Sequence, residues 1–426
     1  MQVYGTSETK ALKRLNPIQN ECLRACTGAF RSSPAASLCI ETGVPPLEYS
    51  RDIISLNYFF KTLALRNSPT YQALVGSPGA EIPPKREHID TLLTKYQVNI
   101  PKIWSISIPE TPPWTHTPLR VCPFIETVKG NRLSEEVRAD FLAHLEVHPN
   151  VHIYTDGSKM DHHVGFAAVG HNHSSCGGLP SESSIFTAEL YAVKAAISEI
   201  AGTSEEGANF TIFSDSRSAL MALKRGITRS PIVTEIKELI HRANTANLEF
   251  ELCWVPGHVN VAGNEKADTA AKEAALAIPQ GPPRAIPHSD MKSSVREAVL
   301  RKWQENWNSL DREGSKLREI KKDVKKWKSS LNKSRRIETV LSRLRVGHTN
   351  ITHSYLMQSQ ANPPECERCR KTLTVKHLLL ECGKHTQVRN KYFSNPTLPD
   401  ILAEGNNFSV NKIINFLRET GLLAKI

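Results

Sequence analysis

No run of about eighteen apolar residues occurs anywhere in the 426-residue chain, so no segment has the reach of a membrane-spanning helix. The opening MQVYGTSETKALKRL also lacks the apolar core of a secretory signal, and the expected location is cytoplasmic or nuclear, away from any membrane. Nine cysteines, scattered and odd in number, suit reduced thiols better than a disulfide framework. No internal repeat and no low-complexity tract is present. What remains is an ordinary globular composition, 39% apolar and 23% charged, in a chain long enough for two or three domains.

The formal charge of +11 is unevenly spread. Residues 291–350 carry 17 Lys/Arg against 7 Asp/Glu, an excess of ten, whereas 151–278 carry 10 against 15, a deficit of five. An acidic centre beside a basic arm makes nucleic acid the first partner to consider, although a solvated basic helix explains such an arm as well.

The texture of the chain divides it further. Residues 1–68 show helical spacing of apolar residues. Residues 69–149 hold eleven of the 26 prolines and read as a loose connector. Strands and helices alternate over 150–277, QGPPRAIPHSD marks a linker over 278–290, and basic helices follow over 291–360 before a cysteine-bearing tail at 361–426. The expected fold is α/β, a five-stranded mixed sheet flanked by helices, with a helical N-terminal segment and a basic helical C-terminal region.

Within the centre, VHIYTDGS, GFAAVG and SSCGGL predict three strands, with Asp156 where the first gives out and Gly157-Ser158 as a turn. SIFTAELYAVKAAISEI places Phe186, Leu190, Val193, Ile197 and Ile200 at helical spacing, with Ser184 as a candidate N-cap. NFTIFSD and LEFELCWV predict the remaining strands, and GNEKADTAAKEAA a last helix. The crossover helix makes strands one and four parallel, so Asp156 and Asp215 emerge at one edge. Glu189 borders the buried stripe of that helix. Asp268 lies among Ala267, Ala270 and Ala271, small residues that permit close approach to the sheet. Four acids near one point repel one another, and divalent cations are the natural compensation. Each acid has a plainer reading: an Asp-Gly turn, a half-exposed helix residue for Glu189, an N-cap for Asp215, and a Lys272 salt-bridge partner for Asp268.

YTDGS, TAEL, FSDSRSAL and WVPGHVNVAGNEKAD, in that order, resemble the type 1 ribonuclease H domain over roughly 151–276. The resemblance implies that Asp156, Glu189, Asp215 and Asp268 hold two Mg²⁺ ions, with Mn²⁺ able to substitute, and that His258 is the mobile active-site histidine. It implies hydrolysis of the RNA strand of RNA/DNA hybrids by a two-metal mechanism. It also implies 2′-hydroxyl contacts from backbone near Gly157 and Ser158. Two departures stand out. No asparagines precede the helical glutamate, and the interval from Asp215 to His258 is too short for the extra basic helix some members carry.

In the tail, Cys366-x-x-Cys369 with His377 and Cys382 offers three thiols and an imidazole, a donor set for tetrahedral Zn²⁺ in a CCHC knuckle; a helix with incidental cysteines is the alternative. Residues around it, together with VYGTSETKALKRLNPIQNECLRAC near the start, resemble the C-terminal part of insect-type non-LTR retrotransposon polyproteins. No Tyr-x-Asp-Asp occurs, so the resemblance implies the terminal piece of such a polyprotein, a truncated copy or a partial gene model, with a reverse transcriptase half in trans as a candidate partner. Lys321, Lys322, Lys325 and Lys326 are candidate phosphate contacts, interleaved with Trp303, Trp307 and Trp327, which suit stacking on bases or packing of helices. Beside the hydrolase reading stands a catalytically silent nucleic-acid-binding remnant. A transposase or integrase on the same fold does not account for the His258-to-Asp268 spacing.

Overall fold

β-branched and aromatic residues in period-two alternation drive the centre of the chain into a mixed sheet. The computed structural model describes residues 9–76, 84–107, 112, 115, 119–122, 134–147, 151–203, 209–226, 228–257, 259–278, 281–310, 316–327, 334–357, 362–403 and 407–426. It divides into two units, one made of residues 56–295 and the other of residues 1–55 with 296–426.

In the first unit, β1 (Arg120–Val121), β2 (Val151–Met160), β3 (His163–Gly170), β4 (Ser174–Leu179), β5 (Asn209–Ser214) and β6 (Glu249–Trp254) form one sheet in the order β1-β6-β5-β2-β3-β4. β2 runs antiparallel to β3 and parallel to β5, with Ile153 opposite Ile212 and Thr155 opposite Ser214. Five strands follow from the sequence pattern; the sheet has six. The added β1 is two residues long, too short to show alternation, and pairs in parallel with β6.

Five helices flank the sheet: α1 (Ser134–Val147), α2 (Ile185–Thr203), α3 (Arg217–Lys224), α4 (Pro231–Thr245) and α5 (Ala262–Leu276). One face of the sheet presents Ile153, Ile212 and Leu252 to Leu190, Val193, Ile197 and Ile200 of α2 and to Ile232 and Ile236 of α4. This is the stripe read from the sequence. Ser184 caps α2, its hydroxyl accepting from the Thr187 amide at 3.2 Å. The opposite face sets Phe213 against Phe141 of α1 in an edge contact, 5.4 Å between centroids. α5 approaches β3 so closely that a Cβ on Gly165 would lie 2.4 Å from the Ala271 carbonyl oxygen.

The Pro-rich connector and the linker are therefore not loose where described. The stretch 69–149 carries helices Pro69–Val75 and Pro84–Tyr96, strand β1 and α1. Ile286 of the 278–290 segment is fully buried and exchanges backbone bonds with residues 102 and 104 at 2.8 Å. Ala285 accepts from the Tyr191 hydroxyl at 2.6 Å, and Asp290 accepts from the Ser184 amide at 3.0 Å. Proline frequency signals breaks between elements, and these apolar and polar anchors between the breaks are what dock the segments.

In the second unit, helices Leu15–Thr27, Ala35–Thr42, Arg335–Val346 and Asn350–Met357 accompany the later part of Met291–Ser309. Trp303 and Trp307 are buried, and the Trp307 indole donates to the Lys321 carbonyl at 3.1 Å, so both pack helices. Glu41 and Arg345 form a buried ion pair at 3.3 Å. Among the described residues, no helix is long and apolar enough to cross a membrane.

Candidate active site: carboxylates at the sheet

Asp156 does not close its strand. β2 continues to Met160, with Asp156 opposite Ala167 and Gly157 opposite Phe166. The glycine serves a close approach rather than a turn. A Cβ on Gly157 would stand 2.5 Å from the Glu189 backbone nitrogen and 2.8 Å from the Ala188 carbonyl carbon. α2 thus rests directly on the strand, and this contact brings Glu189 beside Asp156.

Glu189 is buried, as is Asp156, while Asp215 is half-buried just past the end of β5. One carboxylate oxygen from each of the three lies within 4.8 Å of the others. The plainer readings of Glu189 and Asp215 do not hold. Glu189 is not half-exposed, and Ser216 caps α3, its hydroxyl accepting from the Ala219 amide at 3.4 Å. The backbone carbonyl of Asp215 accepts from the Trp254 indole at 3.1 Å, which ties the acid to the end of β6.

Burial first, then the charges of Asp215 and Asp268, push Asp156 from 3.8 up to about 7. Burial, then Asp156 and Asp215, push Glu189 from 4.5 up to about 9. A hydrogen bond from the Gly157 amide pulls both the other way. Glu189 Oε2 is buried without a hydrogen-bond partner. Crowded, desolvated carboxylates with an orphaned oxygen fit a divalent cation: the ion supplies the charge that the protein withholds.

Asp268 stands outside the three-oxygen set. Its Oδ2 accepts from Lys272 Nζ at 2.6 Å, the plainer reading of that acid, though its charge still raises Asp156. His258 lies outside the described residues; its neighbour Gly257 is close enough that a Cβ would sit 2.9 Å from Asp215 Oδ2. Ser158 is buried in β2, opposite Gly165.

In the other unit, Cys366, Cys369, His377 and Cys382 offer ligand atoms that all lie within 4.8 Å of one another, with Cys366 Sγ 3.8 Å from Cys382 Sγ. The Cys-x-x-Cys turn is closed by Arg370 N donating to the Cys366 carbonyl at 2.8 Å, with Arg370 in the left-handed region at φ 51°. Both ring nitrogens of buried His377 lack a hydrogen-bond partner. The buried Arg389 guanidinium donates to the Leu379 and Cys382 carbonyls at 2.7 and 2.8 Å, fixing the segment that carries the last two. Of the four lysines, Lys322, Lys325 and Lys326 are exposed, but Lys321 is not available for phosphate. It is buried, with its ammonium on the Lys325 carbonyl and over the Trp327 ring. The lysine at 321 is the one that follows a buried helical turn, which composition alone does not reveal.

A further cluster, Cys122, His144 and Cys253, has no motif in the sequence. Its cysteines lie 22 and 109 residues from the histidine, and the register of β1 and β6 together with the packing of α1 brings the three together.

Residues 148–276 match the model of the RNase H family. Two solved structures are similar to this part of the chain. RNase H1 from the halophilic archaeon Halobacterium salinarum NRC-1 is 23% identical, with a TM-score of 0.24, over 29% of this chain and 96% of that one. LC11-RNase H1, isolated from compost by a metagenomic approach, is 19% identical, with a TM-score of 0.25, over 30% and 95%. No curated protein matches the chain.

Proposed function

We propose that the chain is an endoribonuclease that hydrolyses the RNA strand of RNA/DNA hybrids. The observation that carries this reading is the convergence of Asp156, Glu189 and Asp215 within the segment that matches the RNase H family, with Glu189 Oε2 left unpartnered. Mg²⁺ ions, or Mn²⁺ in their place, supply Lewis acidity and an activated water when bound. The chain's own part is to hold the carboxylates together. Asp156 is fixed by the pairing of β2, Glu189 by the contact of α2 with Gly157, and Asp215 by the Trp254 indole. Asp268 joins the set when Lys272 releases it. His258, next to a glycine that touches Asp215, is suited to moving a proton during product release. Gly157 and Ser158 would present backbone to the hybrid, and Lys322, Lys325 and Lys326 would meet phosphates.

The Cys366, Cys369, His377 and Cys382 cluster is proposed to take Zn²⁺, because three sulfurs and an imidazole whose ring nitrogens make no hydrogen bond, with only Glu381 3.7 Å from Nδ1, suit that ion. The resemblance of the flanks supports an origin in a retrotransposon polyprotein, with a reverse transcriptase half acting in trans.

The test is cleavage of an end-labelled RNA/DNA hybrid with Mg²⁺ by the full chain and by its Asp215→Asn variant. RNA-strand cleavage that falls by roughly a hundredfold or more in the variant, with hybrid binding retained, is the expected result. The Asp268–Lys272 ion pair favours a second reading, a binding remnant without catalysis. Folded parent protein that binds hybrid and leaves it intact would establish that reading instead.

A further inference from the structure

Cys122 follows β1, His144 lies on α1 and Cys253 lies on β6, all within the unit that contains the sheet. Both sulfurs approach the same imidazole nitrogen: His144 Nε2 is 3.1 Å from Cys122 Sγ and 3.7 Å from Cys253 Sγ. The three ligand atoms lie within 4.8 Å of one another. Tetrahedral zinc with its usual bonds to sulfur and nitrogen sets sulfur–nitrogen separations of roughly 3.5–3.6 Å, a spacing that falls between the two sulfur–nitrogen distances here. Both cysteines are buried, so the donors meet where water competes little. Two soft sulfurs and an imidazole, with no carboxylate among them, select Zn²⁺ over Mg²⁺.

We propose that Cys122, His144 and Cys253 form a zinc site, distinct from the carboxylates and from the CCHC cluster. The ion takes two thiolates and one imidazole from three separate elements, leaving a fourth position for water, and binding releases the two thiol protons. Its effect is to fasten the short edge strand and α1 onto β6. Two features of the register make that fastening matter. The Cys122 amide already donates to the Leu252 carbonyl at 2.8 Å, so β1 reaches the sheet through very few backbone bonds. Cys253 is paired with Phe213, two residues before Asp215, so the clip sits on the strands that carry the candidate active site. The proposal does not depend on what those carboxylates do.

Zinc and cobalt are the probes, on the full-length chain. In a Cys369→Ser, His377→Gln background, which disables the CCHC cluster, we expect one Zn²⁺ per chain by elemental analysis. We also expect Co²⁺ to give thiolate-to-metal absorption. His144→Gln in that background should weaken Co²⁺ binding by more than about tenfold, since losing even a ligand's supporting partner costs that much. His144→Cys should keep the ion and strengthen the absorption in proportion to the added thiolate. This second variant decides the matter if His144→Gln fails to fold by circular dichroism. A background protein that binds neither ion would overturn the proposal. So would Co²⁺ absorption that His144→Cys leaves unchanged, or a Cys122–Cys253 disulfide found by mass spectrometry of unreduced protein.

Discussion

Burial and neighbouring acids hold the Asp156 and Glu189 carboxyls well above the usual carboxylate range in the folded protein. Their raised values, about 7 and about 9, mean that the native state holds protons which the unfolded chain has released above 3.8 and 4.5. With more protons bound to the native than to the unfolded state, stability falls as pH rises, from about 4 through about 7 for Asp156 and on towards about 9 for Glu189. In Mg²⁺-free buffer the thermal midpoint should therefore drop between pH 5 and pH 8. The Asp156→Asn, Glu189→Gln double variant should show a shallower drop. Mg²⁺ should raise the parent's midpoint at the upper pH and leave the variant unmoved. Chelators are best avoided, since they would also strip metal from the two proposed cysteine sites. A parent curve parallel to the variant's would show that these two acids are not the source.

At the scale of elements, the closest contact is that of β2 with α2. Gly157→Ala places a methyl against the backbone of Glu189 and Ala188, where no flexible side chain can yield. Overpacking of this kind costs about 1–3 kcal/mol, readable as a lower urea midpoint. Because the strain falls between two of the acids, hybrid cleavage should drop further than the unfolded fraction accounts for. Equal stability and activity in the variant would mean that α2 is free to shift. The same contact shows what the sequence made legible and what it hid. The apolar stripe of α2 and the long strands follow from periodicity, and topology places Asp156 and Asp215 at one edge. The full set of four acids, Asp268 included, comes with the ribonuclease H resemblance, and three of them meet here. The role of Gly157 comes from neither, because a glycine before a polar residue looks alike whether it turns the chain or admits a helix. Strand β1 and the cluster at Cys122, His144 and Cys253 were hidden for a related reason: two residues carry no period, and long-range register has no local spelling. Lys321 shows the opposite failure, a cation that composition assigns to solvent and packing takes inside.

For the molecule as a whole, charge is the property that reaches furthest. The proposed hybrid binding would draw on residues outside the matched segment 148–276, because 151–278 is acidic and 291–350 is basic. Affinity for a hybrid should fall steeply with salt, and each lost phosphate contact should lower the slope of log affinity against log salt by about 0.7–0.9. Lys322→Gln, Lys325→Gln and Lys326→Gln together should flatten that slope, while Lys321→Gln should instead destabilise the fold. An unchanged slope in the triple variant, measured by fluorescence anisotropy, would remove these lysines from the interface. The strand order has a last consequence. β2, β3 and β4 can pair with one another as soon as they leave the ribosome, but β2 meets β5 only after α2 has crossed over. Such distant pairings close late in folding. Asp156 and Asp215 sit on the two sides of that seam, so a nascent chain carries both acids before it can hold them together. Competence to cut should arrive in a single step, when the seam closes.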